Sequence, residues 1–364
     1  MIIVTGSAGF IGSHVADHFA NPAGHNASLL LVDEPAYFRE RPYFDPGSAS
    51  LWDFAAGMDG KPARHKIIDR AYFPKVLEKI GPLPNPKNTQ AKENVLIPPG
   101  ERIEGVIHLG ACTDTAEQRK DYLAQWNVEY TKSIWQWCTK HKVPLVYASS
   151  GATYGAGEQG FKDDWATTLK LKPLNPYGQS KQDFDLWAKQ EVEAGRTPPH
   201  WYGLKFFNVY GSRESHKGPM ASAVLHAFRH IIRTGTCKLF RSHSPKVQDG
   251  EQSRDFIHVS DIVKLVDHFY TAKPESGLYN CGTGQARTFL SLMEAIFHTL
   301  ERPMKVNWID TPEQYRKAYQ YFTQAAMTHT LATGYREPFL SLESGVAEYV
   351  HWLQKHERPE NTFH

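Results

Sequence analysis

The 364-residue sequence has only four cysteines, Cys112, Cys138, Cys237 and Cys281, and none is spaced for a CxxC pair or a zinc knuckle. That argues against a disulfide framework, leaves reduced thiols in the cytoplasm as the expectation, and gives no metal site. There is no hydrophobic run of membrane-spanning length. The apolar start, Met1 to Val4, is far shorter than a signal-peptide core and reads as a first strand. Charge of one sign is not in excess: 41 basic against 39 acidic residues leave a formal +2, no reason to expect nucleic acid as a partner. There is no internal repeat and no coiled coil. What is present is 41% hydrophobic and 22% charged residues, an ordinary globular balance in a chain long enough for one large domain with a satellite, or for two.

The central stretch is PYGQSK, Pro176 to Lys181. Proline suits a first helical turn, so a helix is expected to start here, with Gly195 a natural stop. On it Tyr177 and Lys181 stand one turn apart on one face, continued by Phe184, Ala188 and Val192. A partly buried ammonium beside a phenol favours the phenolate. At about 4 Å and an effective dielectric of about 20 the attraction is on the order of 4 kcal/mol. An ordinary amphipathic helix also carries such pairs, so the rest of the chain decides.

The first apolar run enters GSAGFIG, with Gly6, Gly9 and Gly12 at three-residue spacing, and then a helical pattern to about Ala20. Strand, glycine turn and helix start make a phosphate cradle: glycine lets backbone approach a pyrophosphate, and the helix end offers N–H groups and partial positive charge. SLLLVD (28–33) is a second strand ending at Asp33, placed to hold an adenosine ribose, with Glu34 beside it. Arg39 and Arg41 follow, and either suits the 2′-phosphate of NADP, whereas Asp33 alone argues for NAD. HKIID (65–69) is a third strand, with Asp69 toward the adenine. The proline-rich stretch 82–99 reads as a solvated insertion.

GVIHLGAC (105–112) is a fourth strand whose Gly110 and Ala111 let a cofactor lie close, and Cys112 reads as a packing residue. A helix over 118–141 carries Tyr122, Trp126, Tyr130 and Ile134, read as core, with Asn127 toward the cofactor. PLVYASS (144–150) is a buried fifth strand, ending on Ser150 where doubly wound sheets bind ligands. A sixth, 202–208, enters NVYG. Strands alternating with helices predict a parallel sheet covered on both sides. Beyond Gly211 the pattern changes. A polar loop carries Lys217, a helix to about Arg233 carries His226, and cations such as Arg254 suit a substrate diphosphate.

Together the glycine triplet, Asp33, Ser150, YxxxK, NVYG and RDFxxV resemble the extended short-chain dehydrogenase/reductases acting on nucleotide sugars. Longer strings, among them FNVYGSRESHKGPMAS, YQYFTQAAM and GYREPFLSLESGVAEYVHWL, look like the ADP-L-glycero-D-manno-heptose 6-epimerases. The likeness lapses around 37–63 and 82–102, and Pro219 stands where that family usually has serine.

The resemblance implies an α/β fold: a doubly wound parallel Rossmann sheet over residues 1–210 with a return segment at about 255–285, and a smaller mixed α/β substrate domain from 211–254 and 286–364. It implies inversion of ADP-D-glycero-D-manno-heptose at C6″ through a transient ketone, with NADP (NAD the alternative) held tightly and no net redox change. Tyr177 and Lys217 would be acid/base groups on opposite faces of the sugar, Lys181 would favour the phenolate and hold the nicotinamide ribose, and Ser150 would bond the reacting oxygen. By position, Phe10, Ile11, Asp33, Leu109, Gly110, Ala111, Cys112, Thr113, Asn127, Lys181, Val209 and Lys217 match cofactor contacts. Asn208, His226, Phe240, Arg241, Ser242, His243, Arg254 and Tyr319 match substrate contacts. A homo-oligomer, pentamers among the family's forms, is implied. Competing readings are another nucleotide-sugar epimerase, such as a UDP-hexose 4-epimerase, a 4,6-dehydratase, or an NADP-binding scaffold without chemistry. The related dehydratases carry an Asp-Glu pair after the strand-end Ser/Thr, where this chain has Gly151 and Ala152. A scaffold would typically lose the Tyr or Lys, and both are present.

Overall fold

The short apolar runs become strands, and their order places the glycine turn. The computed structural model describes residues 1–22, 24–40, 65–79, 102–316 and 319–357. Among these the strands are, in chain order, β1 (Ile2–Thr5), β2 (Leu29–Asp33), β3 (Lys66–Asp69), β4 (Gly105–His108), β5 (Leu145–Ser150), β6 (Trp201–Phe206), β7 (Asn208–Tyr210), β8 (Cys237–Phe240), β9 (Ser253–His258), β10 (Gly277–Cys281), β11 (Ala286–Thr288) and β12 (Val306–Ile309). The chain divides into two compact units: Met1–Ser149, Ser180–Leu204 and Leu265–Leu278 form the first, and Ser150–Gln179, Lys205–Lys264 and Tyr279–His364 the second. Residues 150–179, expected with the cofactor domain, thus group with the second unit.

Seven strands form a parallel sheet in the order β10-β6-β5-β4-β1-β2-β3, flanked by helices. β1 pairs with β2 on one side (Ile2↔Leu29) and with β4 on the other (Ile2↔Gly105), so the winding reverses at β1, where doubly wound sheets take ligands. Every residue of β1, β2 and β4 is buried, which is why these strands read as continuous apolar runs without alternation. Within the first unit, Trp135 packs against Tyr147, Phe184 and Trp201 at ring distances of 6.4, 6.2 and 5.1 Å. Phe184 and Ala188 are buried as their helical spacing predicts.

In the second unit β9 lies between β7, parallel to it, and β11, antiparallel, while β8 pairs in parallel with β12. The helices Ala223–Thr234, Phe289–Thr299 and Leu342–His356 close a core around Leu225, Ile231, Leu292, Ile296, Val346 and Leu353. Each starts on a hydroxyl cap, Ser222, Thr288 or Ser341, which accepts a first-turn amide. Such caps contribute about 1 kcal/mol apiece. No helix among the described residues is long and apolar enough to cross a membrane.

Three expectations need correction. The fourth strand stops at His108, short of Cys112, because Gly110 and Cys112 give their N–H groups to the side chains of Thr5 and Asn127. The sixth strand ends at Phe206, and 208–210 is a separate strand in another sheet, after Phe207 gives its N–H to Cys281 O. The helix over 118–141 is interrupted by a π-helical turn at Ala124–Glu129. On it Tyr130 and Ile134 are buried, but Tyr122 and Trp126 are only half-buried, under the guanidiniums of Arg119 and Arg70.

Candidate active site

The glycine turn is as tight as its spacing requires. Gly6 has a φ of +69°, and a Cβ there would lie 2.6 Å from the Gly110 nitrogen. A Cβ at Gly9 or Gly12 would meet the Gly6 carbonyl oxygen at 3.0 or 2.0 Å. Gly9 precedes the Phe10–Ala20 helix, which has no side-chain cap. Phe10 is buried and Ile11 half-buried. The Asp33 carboxylate is buried at the end of β2 and accepts the N–H groups of Ala8 and Glu34, both at 2.9 Å. It therefore braces the glycine turn. Glu34 pairs with Arg70, a residue the sequence reading passed over, and Asp69 accepts the Ala71 N–H at 2.8 Å. Arg39 falls in the short helix Pro35–Glu40, and Arg41 lies outside the described residues, as does the whole proline-rich stretch 82–99.

Behind the loop after β4 runs a chain of buried polar groups. Gly110 N–H bonds Thr5 Oγ1 at 3.1 Å, and Thr5 Oγ1 lies 2.6 Å from His108 Nδ1. His108 Nε2 lies 3.0 Å from Thr131 Oγ1, which donates to Asn127 O. Because Thr131 donates onward, it accepts from His108 Nε2–H, and Nδ1 must then accept from Thr5. His108 is accordingly neutral, its pKa held down to about 3 by burial and by the charge of Lys181. Asn127, on the π turn, spends its amide inside the protein: Oδ1 accepts Cys112 N–H at 2.8 Å, and Nδ2 donates to Cys112 O and Ser180 Oγ. It fixes the 109–113 loop to the helix that carries Lys181. Burial pushes the Cys112 thiol pKa up, as suits a packing residue.

The Pro176–Glu193 helix carries Tyr177 and Lys181 one turn apart, as the spacing predicts. Lys181 is 6% exposed and donates to Ala148 O at 2.9 Å. Burial pulls its pKa down to about 8, against the opposing charges of Asp185 and Cys112. Asp185, four residues on, is fully buried and accepts Ser149 Oγ at 2.7 Å and Tyr147 OH at 3.2 Å. The Lys181-to-Asp185 spacing was the signal by which this carboxylate was findable.

In the second unit, Tyr177 and Ser150 are both buried. Ser150 Oγ accepts the Ala152 N–H at 3.1 Å, which leaves its own O–H to donate. Lys217 sits on a tight turn, Ser215–Met220, broken at Gly218 by a φ of +53°. Its amine lies 4.0 Å from a Glu214 carboxylate oxygen. Burial lowers the Lys217 pKa and Glu214 opposes that. Glu214 is fully buried and accepts Ser222 N–H at 2.7 Å, and burial raises its pKa. His226 is exposed and donates to Pro219 O. Val209 and Asn208 lie on β7.

Several expected substrate contacts fall together. The Arg254 guanidinium lies 5.8 Å from the Tyr319 ring, which meets Phe240 edge-on at 6.3 Å. Arg241 and the Ser242 N–H are held by Asp249, and the His243 N–H reaches Tyr321 OH at 3.3 Å. Asp249 and Tyr321 were not foreseen. A concavity of about 550 Å³ lined by Phe161, Lys162, Lys170 and Phe322 contains none of the expected site residues.

A nicotinamide dinucleotide fits the first unit: three glycines leave backbone bare, an uncapped helix end faces them, and Asp33 and Lys181 stand on the strands and helix around the loop. The sequence profile of the NAD dependent epimerase/dehydratase family matches residues 89–282. The chain is 38% identical over 363 residues to an ADP-L-glycero-D-manno-heptose-6-epimerase of Fusobacterium nucleatum, covering 96% of this chain and 97% of that one. It is 32% identical to one from Brachyspira hyodysenteriae, with 98% of each covered. In structure it matches the crystal structure of the Helicobacter pylori ADP-L-glycero-D-manno-heptose-6-epimerase with a TM-score of 0.70, 25% identity, and 97% and 96% of the two chains covered. The chain is a nicotinamide-dependent enzyme and belongs to the NAD dependent epimerase/dehydratase family.

Proposed function

We propose that the protein converts ADP-D-glycero-D-manno-heptose to ADP-L-glycero-D-manno-heptose by inverting C6″. What carries the reading is the likeness to named heptose epimerases across almost the whole chain, not within one motif. A carbinol C–H is too weakly acidic to be removed as a proton. A bound nicotinamide would supply a hydride acceptor and donor, so that C6″ could pass through a ketone and be re-reduced on its other face with no net redox change.

The chain's residues then have these tasks. The glycine turn and Asp33 hold the dinucleotide, and Arg39 or Arg41 marks it as NADP. Lys181 holds the nicotinamide ribose and sets charge beside Tyr177. Tyr177 and Lys217 exchange the hydroxyl proton, one on each face of C6″, so that whichever diastereomer binds finds a base. The lowered Lys217 pKa supports this, since it leaves more of the amine neutral near pH 7 and able to accept a proton. Ser150 donates to the reacting oxygen, and Arg254 meets the diphosphate. The same reading puts the enzyme in the cytoplasm as a homo-oligomer.

The test is incubation with ADP-D-glycero-D-manno-heptose and proton NMR of the C6″ centre, with UDP-glucose and UDP-galactose as controls. Build-up of the second heptose diastereomer supports the assignment. Turnover of a UDP-hexose alone would replace it with a 4-epimerase.

A further inference from the structure

Away from all these residues, the first unit contains a second cluster with convergent donors. His18 lies near the end of the Phe10–Ala20 helix, His25 in the turn beyond it, and Asp267 on the helix Val259–Ala272. His18 Nε2 is 3.0 Å from Asp267 Oδ2, and His25 Nε2 is 2.7 Å from Asp267 Oδ1. The donor atoms of the three residues all lie within 4.8 Å of one another. Their side chains keep 35%, 25% and 29% exposure, so the cluster is open to solvent on one side. The rings are oriented by packing: Phe19 stacks on His25 at 4.4 Å, meets His18 edge-on at 5.4 Å, and is itself met by Tyr270 at 5.1 Å.

We propose that His18, His25 and Asp267 form a zinc site. Two imidazole nitrogens and one carboxylate oxygen are a donor set for borderline divalent ions, whereas magnesium and calcium favour all-oxygen surroundings. Zinc bonds of about 2.0–2.2 Å set tetrahedral donors roughly 3.3 Å apart. The two observed contacts are hydrogen bonds a few tenths of an ångström shorter, and the third pair is within reach of closing. In the zinc-bound form each imidazole presents an unprotonated Nε2 to the ion with its proton on Nδ1, and water completes the shell. The ion would join the helix that begins at the glycine turn to the Leu265–Leu278 segment of the same unit. The sequence concealed this site because Asp267 stands more than 240 residues from either histidine.

The experiment uses the full chain, stripped with EDTA and dialysed against zinc chloride, with cobalt(II) as a spectroscopic substitute. The expected result is one zinc per chain, visible cobalt d–d bands, a higher melting temperature with zinc, and affinity reduced at least about tenfold in His25→Gln and in Asp267→Asn. Anomalous diffraction at the zinc edge places the ion independently of how the variants fold. Absence of stoichiometric zinc, affinity unchanged in folded variants, or an anomalous peak away from these three side chains would each overturn the proposal.

Discussion

Replacing Lys181 with methionine separates what this residue contributes to chemistry from what it costs the fold. Methionine keeps the length of the stem and removes the ammonium. In the wild type that ammonium is 6% exposed, with a pKa lowered from 10.5 to about 8 by burial. At about 1.4 kcal/mol per pKa unit, the charged form is disfavoured by about 3 kcal/mol relative to the unfolded chain. Against this stands the bond from Nζ to Ala148 O, about 1–3 kcal/mol for a charged donor. In cofactor-free protein at pH 7, Lys181→Met is therefore expected to lie between neutral and about 2 kcal/mol more stable, while epimerisation falls at least about a hundredfold.

The pH dependence sharpens the test. The folded state gives up this proton near pH 8 and the unfolded state holds it to about 10.5. Between those values the unfolded chain binds more protons, so wild-type stability rises with pH across that window, and the penalty is fully present below it. The methionine variant lacks this rise. Melting temperatures of both proteins at pH 7 and pH 9.5 measure it: any gain of the variant shrinks or reverses at the higher pH. A variant destabilised by more than about 1 kcal/mol at pH 7, or one with the wild-type pH response, would refute this account of the buried charge.

Tyr177→Phe and Lys217→Ala are each expected to slow epimerisation at least about a hundredfold, and full activity in either would remove it from the mechanism. Glu214→Gln removes the charge that opposes the lowering of the Lys217 pKa, so the limb of the pH–rate profile belonging to Lys217 should move to lower pH; an unmoved profile would uncouple the pair. Asp33→Ala leaves the amides of Ala8 and Glu34 without their acceptor, at about 1–3 kcal/mol each, so it should lower the melting temperature as well as cofactor affinity. Loss of affinity with unchanged stability would mean that Asp33 does not brace the turn. Protein purified without added nucleotide should release NADP on denaturation, and NAD alone would end the reading of Arg39 and Arg41.

The parts of the site legible in the sequence are those whose chemistry is local. Three glycines at three-residue spacing, and a tyrosine and a lysine one turn apart, each state their geometry within a few residues. The parts that escaped depend on chain segments far apart. His108 sits in an apolar strand, and its polar role shows only once Thr5 and Thr131 are brought to its two nitrogens. The bonds of Asn127 to Cys112 and Ser180, 15 and 53 residues away, are likewise invisible in the sequence, which places this residue only toward the cofactor. The break between β6 and β7 was hidden because no glycine or proline punctuates 204–210, and only pairing with β9 shows that the second piece belongs to another sheet.

The two lysines use one device to opposite ends. Burial lowers the pKa of both, and in each case a buried carboxylate close in sequence, Asp185 or Glu214, resists the fall. A buried amine with no such neighbour would lose its proton altogether, and one with a closer or more exposed carboxylate would never release it; intermediate opposition keeps the group near its point of exchange. What differs is enclosure. Lys181 is enclosed on a long helix and committed to Ala148 O, which suits a fixed charge beside Tyr177. Lys217 keeps 22% of its side chain exposed on a turn next to a glycine with positive φ. Its carboxylate partner stands at 4.0 Å, beyond a direct hydrogen bond, so that pairing is looser than the bond between Lys181 and Ala148 O. This difference fits the proposed roles, with Lys217 as the lysine that would exchange protons with the sugar and Lys181 as the fixed charge.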